Sequence, residues 1–325
     1  MNPAERVPLG RTGLEVTRLG LGTAPLGGMY EAVSDEQGRA TVDAAWAAGL
    51  RFFDTAPLYG HGMSERRLGE ALAGRPRDEV VVATKVGRLL RAGAPPDPEQ
   101  QIFVDAPRLQ PVFDFSAEAA EASLRESLER LGLDRVDVLH IHDPDDHHDE
   151  ALAGAYRALD RLRAAGRIRA VGAGMNQTAM LARFAREARF DCFLLAGRFT
   201  LLDQSGLDEL LPLCQRAGIA VIAGGAFNSG VLADPRPGAH YNYRVAPPEL
   251  VERALRLADV CDRHGVPLAA AAIQYPVRHP AVAAVVVGAR SAAEVAEDVR
   301  LFRWEVPDAL WADLRAAGLV RPDTP

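Results

Sequence analysis

Short apolar runs alternate with longer amphipathic ones along the whole chain. The short ones are "LGLGTA" (19–24), "RFFDTA" (51–56), "VVVATKV" (80–86), "VDVLHIH" (136–142), "IRAVGAG" (168–174), "CFLLAG" (192–197), "AVIAGG" (220–225) and "AVVVGA" (284–289). Their length and near-continuous apolar character fit strands buried on both faces. Between them lie stretches with helical spacing of apolar residues, such as "SDEQGRATVDAAWAAG" (34–49) and "DEALAGAYRALDRLRAAG" (149–166). Eight such units predict an α/β fold, the closed (β/α)8 or TIM barrel. The rival, a doubly wound open sheet, usually carries G-x-G-x-x-G after its first strand. "GLGTAPLGG" does not have that spacing. Three additions are expected: an N-terminal β-hairpin in "VPLGRTGLEVTRLG" (7–20), a long loop after strand three from about Gly87 to Phe115, and a C-terminal helix around "PDALWADLRAAG" (307–318). No shift in composition marks a linker, so residues 1–325 are read as one domain.

Composition adds mainly exclusions. Apolar residues make up 48% of the chain, enough for a large core, and a formal net charge of −7 gives no reason to expect nucleic acid or an anionic membrane as partner. No run approaches the roughly 18 apolar residues of a spanning helix. The start "MNPAERVPLG" has no apolar signal core, which predicts a cytoplasmic protein. Cys192, Cys214 and Cys261 have neither disulfide nor metal-ligand spacing. They are expected as reduced thiols, Cys192 as a small core residue, and no metal site is expected.

Candidate chemistry starts from an oddity. Asp54 closes the apolar run "RFFDTA" although Asp is a poor strand former. A turn-making Asp is one explanation. Yet Lys85 closes the next strand and His142 the one after, and a barrel of this kind keeps its chemistry at the C-terminal strand ends. By the strand period of two, Phe52 and Asp54 share a face, as do Val81, Ala83 and Lys85, and Val138, His140 and His142. Tyr59 follows Asp54 by five residues, in a Gly-rich turn. Ser64 and Glu65 suit the first turn of a helix as N-cap and dipole partner. His147 and His148 read as solvated residues ahead of a helix.

At these residues the chain resembles the aldo-keto reductase superfamily. "FFDTAPLYG", "VVVATKVG" and "DVLHIHDPD" are similar to the segments that carry its Asp, Tyr, Lys and His tetrad, which implies catalytic roles for Asp54, Tyr59, Lys85 and His142. The family pattern favours His142, next to "DP", over His140. Three further segments, "LLAGRFTLLDQ", "GGAFNSGVLA" and "YNYRVAPPEL", resemble the branch that holds D-threo-aldose 1-dehydrogenase or L-fucose dehydrogenase, with galactose and pyridoxal dehydrogenases among its relatives. That implies oxidation of an aldose, L-fucose or a similar sugar, at C1 to a lactone. An NADPH-dependent aldehyde reductase, a pyridoxal dehydrogenase and a non-catalytic nucleotide sensor stay open as alternatives. In the implied reaction Tyr59 exchanges a proton with the substrate oxygen. Free tyrosine titrates near 10, too high for an efficient base at neutral pH, so the Lys85 ammonium is expected to lower it. Asp54 holds Lys85, and His142 orients the substrate oxygen.

The resemblance also implies a nicotinamide dinucleotide across the barrel mouth. Its binding residues would be Asn176 in "GMNQ", Phe227, Asn228, Ser229 and Gly230 after strand seven, and Gly288, Arg290, Glu294 and Asp298 around strand eight. Gly224 stands where many members carry a stacking aromatic, a role Phe227 would have to fill. Ala196 stands where many have Gln. Glu294 stands where many have an Arg for the 2′-phosphate of NADP, which implies NAD as cofactor with NADP possible, Arg290 compensating.

Overall fold

In a computed structural model that describes residues 1–93 and 102–324, all eight apolar runs become strands of one closed parallel barrel. The chain opens with a hairpin, β1 (Arg6–Pro8) and β2 (Glu15–Thr17), and enters the barrel at β3 (Leu19–Gly22). Helix α1 (Asp35–Ala47) leads to β4 (Phe52–Asp54), and α2 (Met63–Leu72) leads to β5 (Val81–Val86). An antiparallel pair, β6 (Arg88–Ala92) and β7 (Leu109–Phe113), is inserted before α3 (Ala117–Leu131) and β8 (Val138–His142). Next, α4 (His148–Glu150) runs through a π-helical turn, Ala151–Tyr156, into α5 (Arg157–Ala164) and β9 (Ala170–Met175). After α6 (Thr178–Glu187) come β10 (Cys192–Ala196), α7 (Leu210–Ala217) and β11 (Ala220–Gly224). A small hairpin, β12 (His240–Tyr241) and β13 (Arg244–Val245), precedes α8 (Pro248–Arg263) and α9 (Leu268–Gln274). The barrel closes with β14 (Val282–Gly288), which pairs with β3, and α10 (Ala292–Arg303) and α11 (Asp308–Ala316) end the fold.

The alternation of each strand explains its uninterrupted apolar sequence. Phe52, Val81, Ala83, Val138, Ala170, Cys192, Leu194, Ile222, Ala284 and Val286 point inward and pack on one another. Their neighbours Phe53, Val82, Leu139, Ile141, Val171, Phe193, Val221 and Val285 point outward into the layer under the helices. The helices carry expected start signals: the Ser34 hydroxyl accepts from Gln37 N at the head of α1, and Ser116 accepts from Ala119 N at the head of α3. The N-terminal hairpin lies across the barrel's lower end, where Val7, Leu9, Leu14 and Val16 join the inner cluster. No helix among the described residues is long and apolar enough to cross a membrane.

Several local expectations are corrected. The stretch from Gly87 to Phe115 is not a plain loop, since β6 and β7 pair across it; its residues 94–101 lie outside the described residues. Gly62, with φ 92°, is the N-cap of α2, not Ser64. The Ser64 hydroxyl is buried and donates to the Thr23 carbonyl at 2.7 Å. Glu65 is in the first turn as expected, but fully buried, accepting from Thr84 Oγ1 at 2.7 Å and from Arg130 Nε at 2.6 Å. A buried hydroxyl and carboxylate here tie α2 to β3, β5 and α3. His148 is not solvated: it is buried and stacked on Phe184 with ring centroids 5.0 Å apart. All three cysteines are buried and unpaired.

Helix α2 approaches the end of α3 so closely that a Cβ on Gly69 would lie 1.9 Å from the Leu131 carbonyl oxygen. Gly69→Ala therefore loses about 1–3 kcal/mol to backbone displacement, more than the ~1 kcal/mol of helix propensity that it gains. The urea midpoint is expected to fall; a rise would show that the two helices can separate freely.

Candidate active site

Lys85 ends β5 pointing into the barrel, 1% exposed. Its ammonium donates to Asp54 Oδ2 at 2.7 Å, to the Thr55 carbonyl at 2.8 Å and to the Tyr59 hydroxyl at 3.1 Å. An ammonium has three donors, and these partners use all three. Because Tyr59 accepts from Lys85, its own O–H proton points elsewhere. Tyr59 is held by its turn. Gly60, at φ 59°, abuts Gly27 so tightly that a Cβ on it would lie 2.3 Å from the Gly27 carbonyl oxygen. The backbone after Tyr59 is thus locked onto the short turn at Ala24–Gly27 that follows β3.

His142 completes the cluster from β8, its ring edge-on to Tyr59 at a centroid distance of 5.9 Å. Burial, reinforced by Arg88 and Lys85, holds its pKa well below the usual value, so the imidazole is neutral. Its Nδ1 is buried with no hydrogen-bond partner among the described residues. His140 sits one layer deeper, fully buried, with burial and then Lys85 pushing it down to about 3. It packs over Gly172, where a Cβ would lie 2.2 Å from its Nδ1. The family pattern favours His142 over His140, and it is His142 whose ring meets Tyr59.

The expected lowering of the Tyr59 pKa is corrected. Burial around its hydroxyl pushes the phenol up to about 12, Lys85 pulls it down, and Asp54 pushes it up again. Desolvation wins, so Tyr59 is a neutral phenol in this state. For Lys85, burial alone would lower the pKa, but Asp54 and Tyr59 together lift it above its ordinary value. The ammonium is therefore permanent at neutral pH.

Above this cluster the barrel widens. On the five strands that do not carry Asp54, Lys85 or His142, the last inward position is Gly22, Gly174, Ala196, Gly224 or Gly288. A Cβ on Gly174 would lie 3.7 Å from Lys85 Cε, and one on Gly224 would meet Leu194 at 3.3 Å. Small residues thus leave a bowl whose wall is polar on three adjacent strands. Small inward residues beside a neutral imidazole and a phenol suit a flat aromatic ring such as a nicotinamide.

The other candidate residues lie around the rim. Asn176 is exposed just past β9. Asn228, Ser229 and Gly230 follow β11 with φ of 46°, 58° and 106°, an uncommon run of left-handed residues. Asn228 donates from Nδ2 to the Gly197 carbonyl at 3.3 Å, while its Oδ1 is buried without a partner among the described residues. Phe227 packs against the outer core, away from the inward gap at Gly224, so it does not replace the stacking aromatic there. Gly288 is exposed at the end of β14. Beyond it, Glu294 accepts from Arg290 N at 2.9 Å and Nε at 3.0 Å, and Arg290 also pairs with Glu31 at 2.7 Å. Asp298 is half-buried on the same helix, pushed up to about 8 by burial and then by Glu294 and Glu297.

Three neighbours were missed from the sequence. Asp143, directly after His142, accepts from Arg88 Nη2 at 2.7 Å. Tyr243 sits in the turn between β12 and β13 with φ 64°, exposed by its ring but with its hydroxyl enclosed near Asp143 and Lys85. The adjacency of Asp143 to His142 was the available signal; the positions of Arg88 and Tyr243 depend on loops that strand periodicity does not describe. No group of three or more His, Cys, Asp or Glu that could hold a metal ion occurs among the described residues.

Known proteins resemble this chain over nearly its full length. The model of the Aldo/keto reductase family matches residues 18–318. A pyridoxal 4-dehydrogenase from Microbacterium luteolum is 44% identical over 98% of this chain and 99% of its own. A D-threo-aldose 1-dehydrogenase from Pseudomonas sp is 43% identical over 95% and 96%, and an L-galactose dehydrogenase from Arabidopsis thaliana is 33% identical over 92% and 88%. Among solved structures, an aldo-keto reductase from Bacillus halodurans superposes with a TM-score of 0.75 at 25% identity, covering 99% of this chain and 98% of that one.

The opposing influences on Tyr59 give a directional test. Lys85→Met removes the one nearby group that lowers the phenol and leaves burial unopposed. The pKa then rises, so the rise of the pH–rate profile for alcohol oxidation moves to higher pH and the rate at neutral pH falls. A profile unchanged in both position and height would separate Lys85 from Tyr59's titration.

Proposed function

Since this chain belongs to the aldo/keto reductase family, we propose that it oxidises the cyclic hemiacetal of an aldose at C1 to the lactone, with NAD as hydride acceptor. The observation that carries the reading is Lys85, bonded at once to Asp54 and Tyr59 in the floor of a bowl lined by small residues. In the proposed reaction the C1 hydrogen leaves with its electron pair, the anomeric hydroxyl gives its proton to the Tyr59 phenolate, and the C1–O bond becomes a carbonyl. When bound, the oxidised nicotinamide supplies the hydride acceptor and a positive ring that opposes the effect of burial on the phenol.

Each tetrad member has a distinct part in this reading. Tyr59 exchanges the proton, since its O–H is turned away from Lys85. Lys85 stabilises the phenolate that accepts this proton, and Asp54 fixes Lys85. The neutral His142 hydrogen-bonds the substrate oxygen and orients it. Asn176, the left-handed run Asn228–Gly230 and the segment from Gly288 to Asp298 would hold the dinucleotide, the orphaned Asn228 Oδ1 awaiting a donor. L-Fucose and related sugars are the first candidates, from the likeness to D-threo-aldose 1-dehydrogenase and L-galactose dehydrogenase. Pyridoxal is the second reading, favoured by the 44% identical relative.

The test is product analysis with L-fucose, L-galactose and pyridoxal, each with NAD. Lactone from a sugar is expected, and Tyr59→Phe should lose about 10²–10⁴ in kcat by deleting the exchangeable proton. Lactone from no sugar would overturn the reading.

The preference for NAD rests on Glu294. Its carboxylate holds Arg290, which is also paired with Glu31, and so keeps the guanidinium from a 2′-phosphate. Glu294→Arg removes one negative charge, adds a positive one and releases Arg290. The ratio of kcat/KM for NADP over NAD is expected to rise at least about tenfold, the effect of a charge-assisted hydrogen bond. An unmoved ratio would assign the preference elsewhere.

A further inference from the structure

A second charged pair stands beside the tetrad. Arg88 opens β6, and its guanidinium lies over the Phe113 ring at 4.5 Å while donating to Asp143 Oδ2 at 2.7 Å. The same carboxylate oxygen is 3.6 Å from His142 Nε2. Asp143 adopts φ 42°, and its N–H donates to the Gly174 carbonyl at 3.0 Å. A non-glycine residue in the left-handed region is strained, and such strain concentrates at functional sites. Here it turns the side chain back beside His142 instead of letting it follow the strand outward.

The pair is anchored on one side and open on the other. The Arg88 side chain is 11% exposed, while that of Asp143 is 32% exposed. A carboxylate offers about four acceptor sites, and Arg88 occupies one of them. The Asp143 carboxylate and Arg198 both act electrostatically on the Tyr243 phenol, and Arg198 donates to Asn242 Oδ1 at 3.1 Å. A substrate carbon held between Tyr59 and His142 would place its neighbouring carbon toward this carboxylate.

We propose that Asp143, oriented by Arg88, recognises the hydroxyl on the carbon next to the reacting one, so that the enzyme selects α-hydroxy carbonyl compounds and their hemiacetals over simple aldehydes. The inference deepens the aldose reading and rests on its placement of the reacting carbon. Arg88 is a positioning residue; Asp143 touches substrate but takes no proton. In a sugar the recognised group is the C2 hydroxyl.

Lactaldehyde and propanal differ by that one hydroxyl and can be reduced in the reverse direction with NADH or NADPH, so the test does not depend on any sugar being oxidised. The parent should prefer lactaldehyde. In Asp143→Ala the ratio of kcat/KM for lactaldehyde over propanal should fall about ten- to a hundredfold, the loss of a hydrogen bond to a charged acceptor. The loss should lie in KM, with Asp143→Asn, closest in shape, falling less. Arg88→Gln should lower the ratio more weakly by releasing the carboxylate. If the variants slow both substrates equally, Asp143 only pins the inserted hairpin, and the proposal is overturned. It is overturned too if the parent shows no preference or reduces neither compound. A parent that prefers lactaldehyde but makes no sugar lactone would sustain this inference while the aldose reading fails.

Discussion

The buried ion pair between Lys85 and Asp54 is the constraint around which the upper half of the barrel is arranged. Removing an ammonium and a carboxylate from water costs several kcal/mol per ion unless geometry and further hydrogen bonds compensate. Here the compensation is specific: one carboxylate oxygen at 2.7 Å, one backbone carbonyl and one phenol. Two partners are consecutive at the end of β4 and the third lies in the turn beyond it, so the pair also fixes how β4, β5 and the Tyr59 turn sit together. Breaking such a pair typically costs about 3–5 kcal/mol, because one charge is left buried alone. The Tyr59 phenol is thus positioned by the same bonds that make a buried lysine tolerable.

Electrostatics at the site come from competition, and the winner differs among neighbours. Burial dominates at His142 and Tyr59, keeping the first uncharged and the second protonated. At Lys85 the adjacent carboxylate and phenol outweigh burial. The enclosure thus holds one ion pair, one neutral phenol and one neutral imidazole. Gly174 and Gly224 keep the inward positions beside this group small.

Strand order, barrel closure and three of the four tetrad positions were legible because period-two alternation fixes both burial and direction. Asp54, Lys85 and His142 stood out as polar residues where a buried strand should be apolar. Tyr59 lay off any periodic element and was found by resemblance. Ser64 was misread because a serine near a helix start has two uses, capping or cross-linking, and a glycine two residues earlier had already taken the cap. His148 was misread because its burial depends on Phe184, a contact between helices that sequence spacing does not encode. The Tyr59 pKa was misjudged for a similar reason: the Lys85 charge could be read from sequence, whereas desolvation is a property of the whole enclosure. Arg88 and Tyr243 belong to inserted hairpins, whose approach to the barrel mouth no local pattern specifies.

The hairpin at the lower end has a consequence for traffic. With Val7, Leu9, Leu14 and Val16 packed into the base, the tetrad is approached from the rim above. Under the proposed reaction, a dinucleotide and a sugar would share this doorway. Whichever lay deeper would enter first and depart last, so the architecture would impose a queue. The shallower reactant would be exchanged freely, while the deeper one waited its turn.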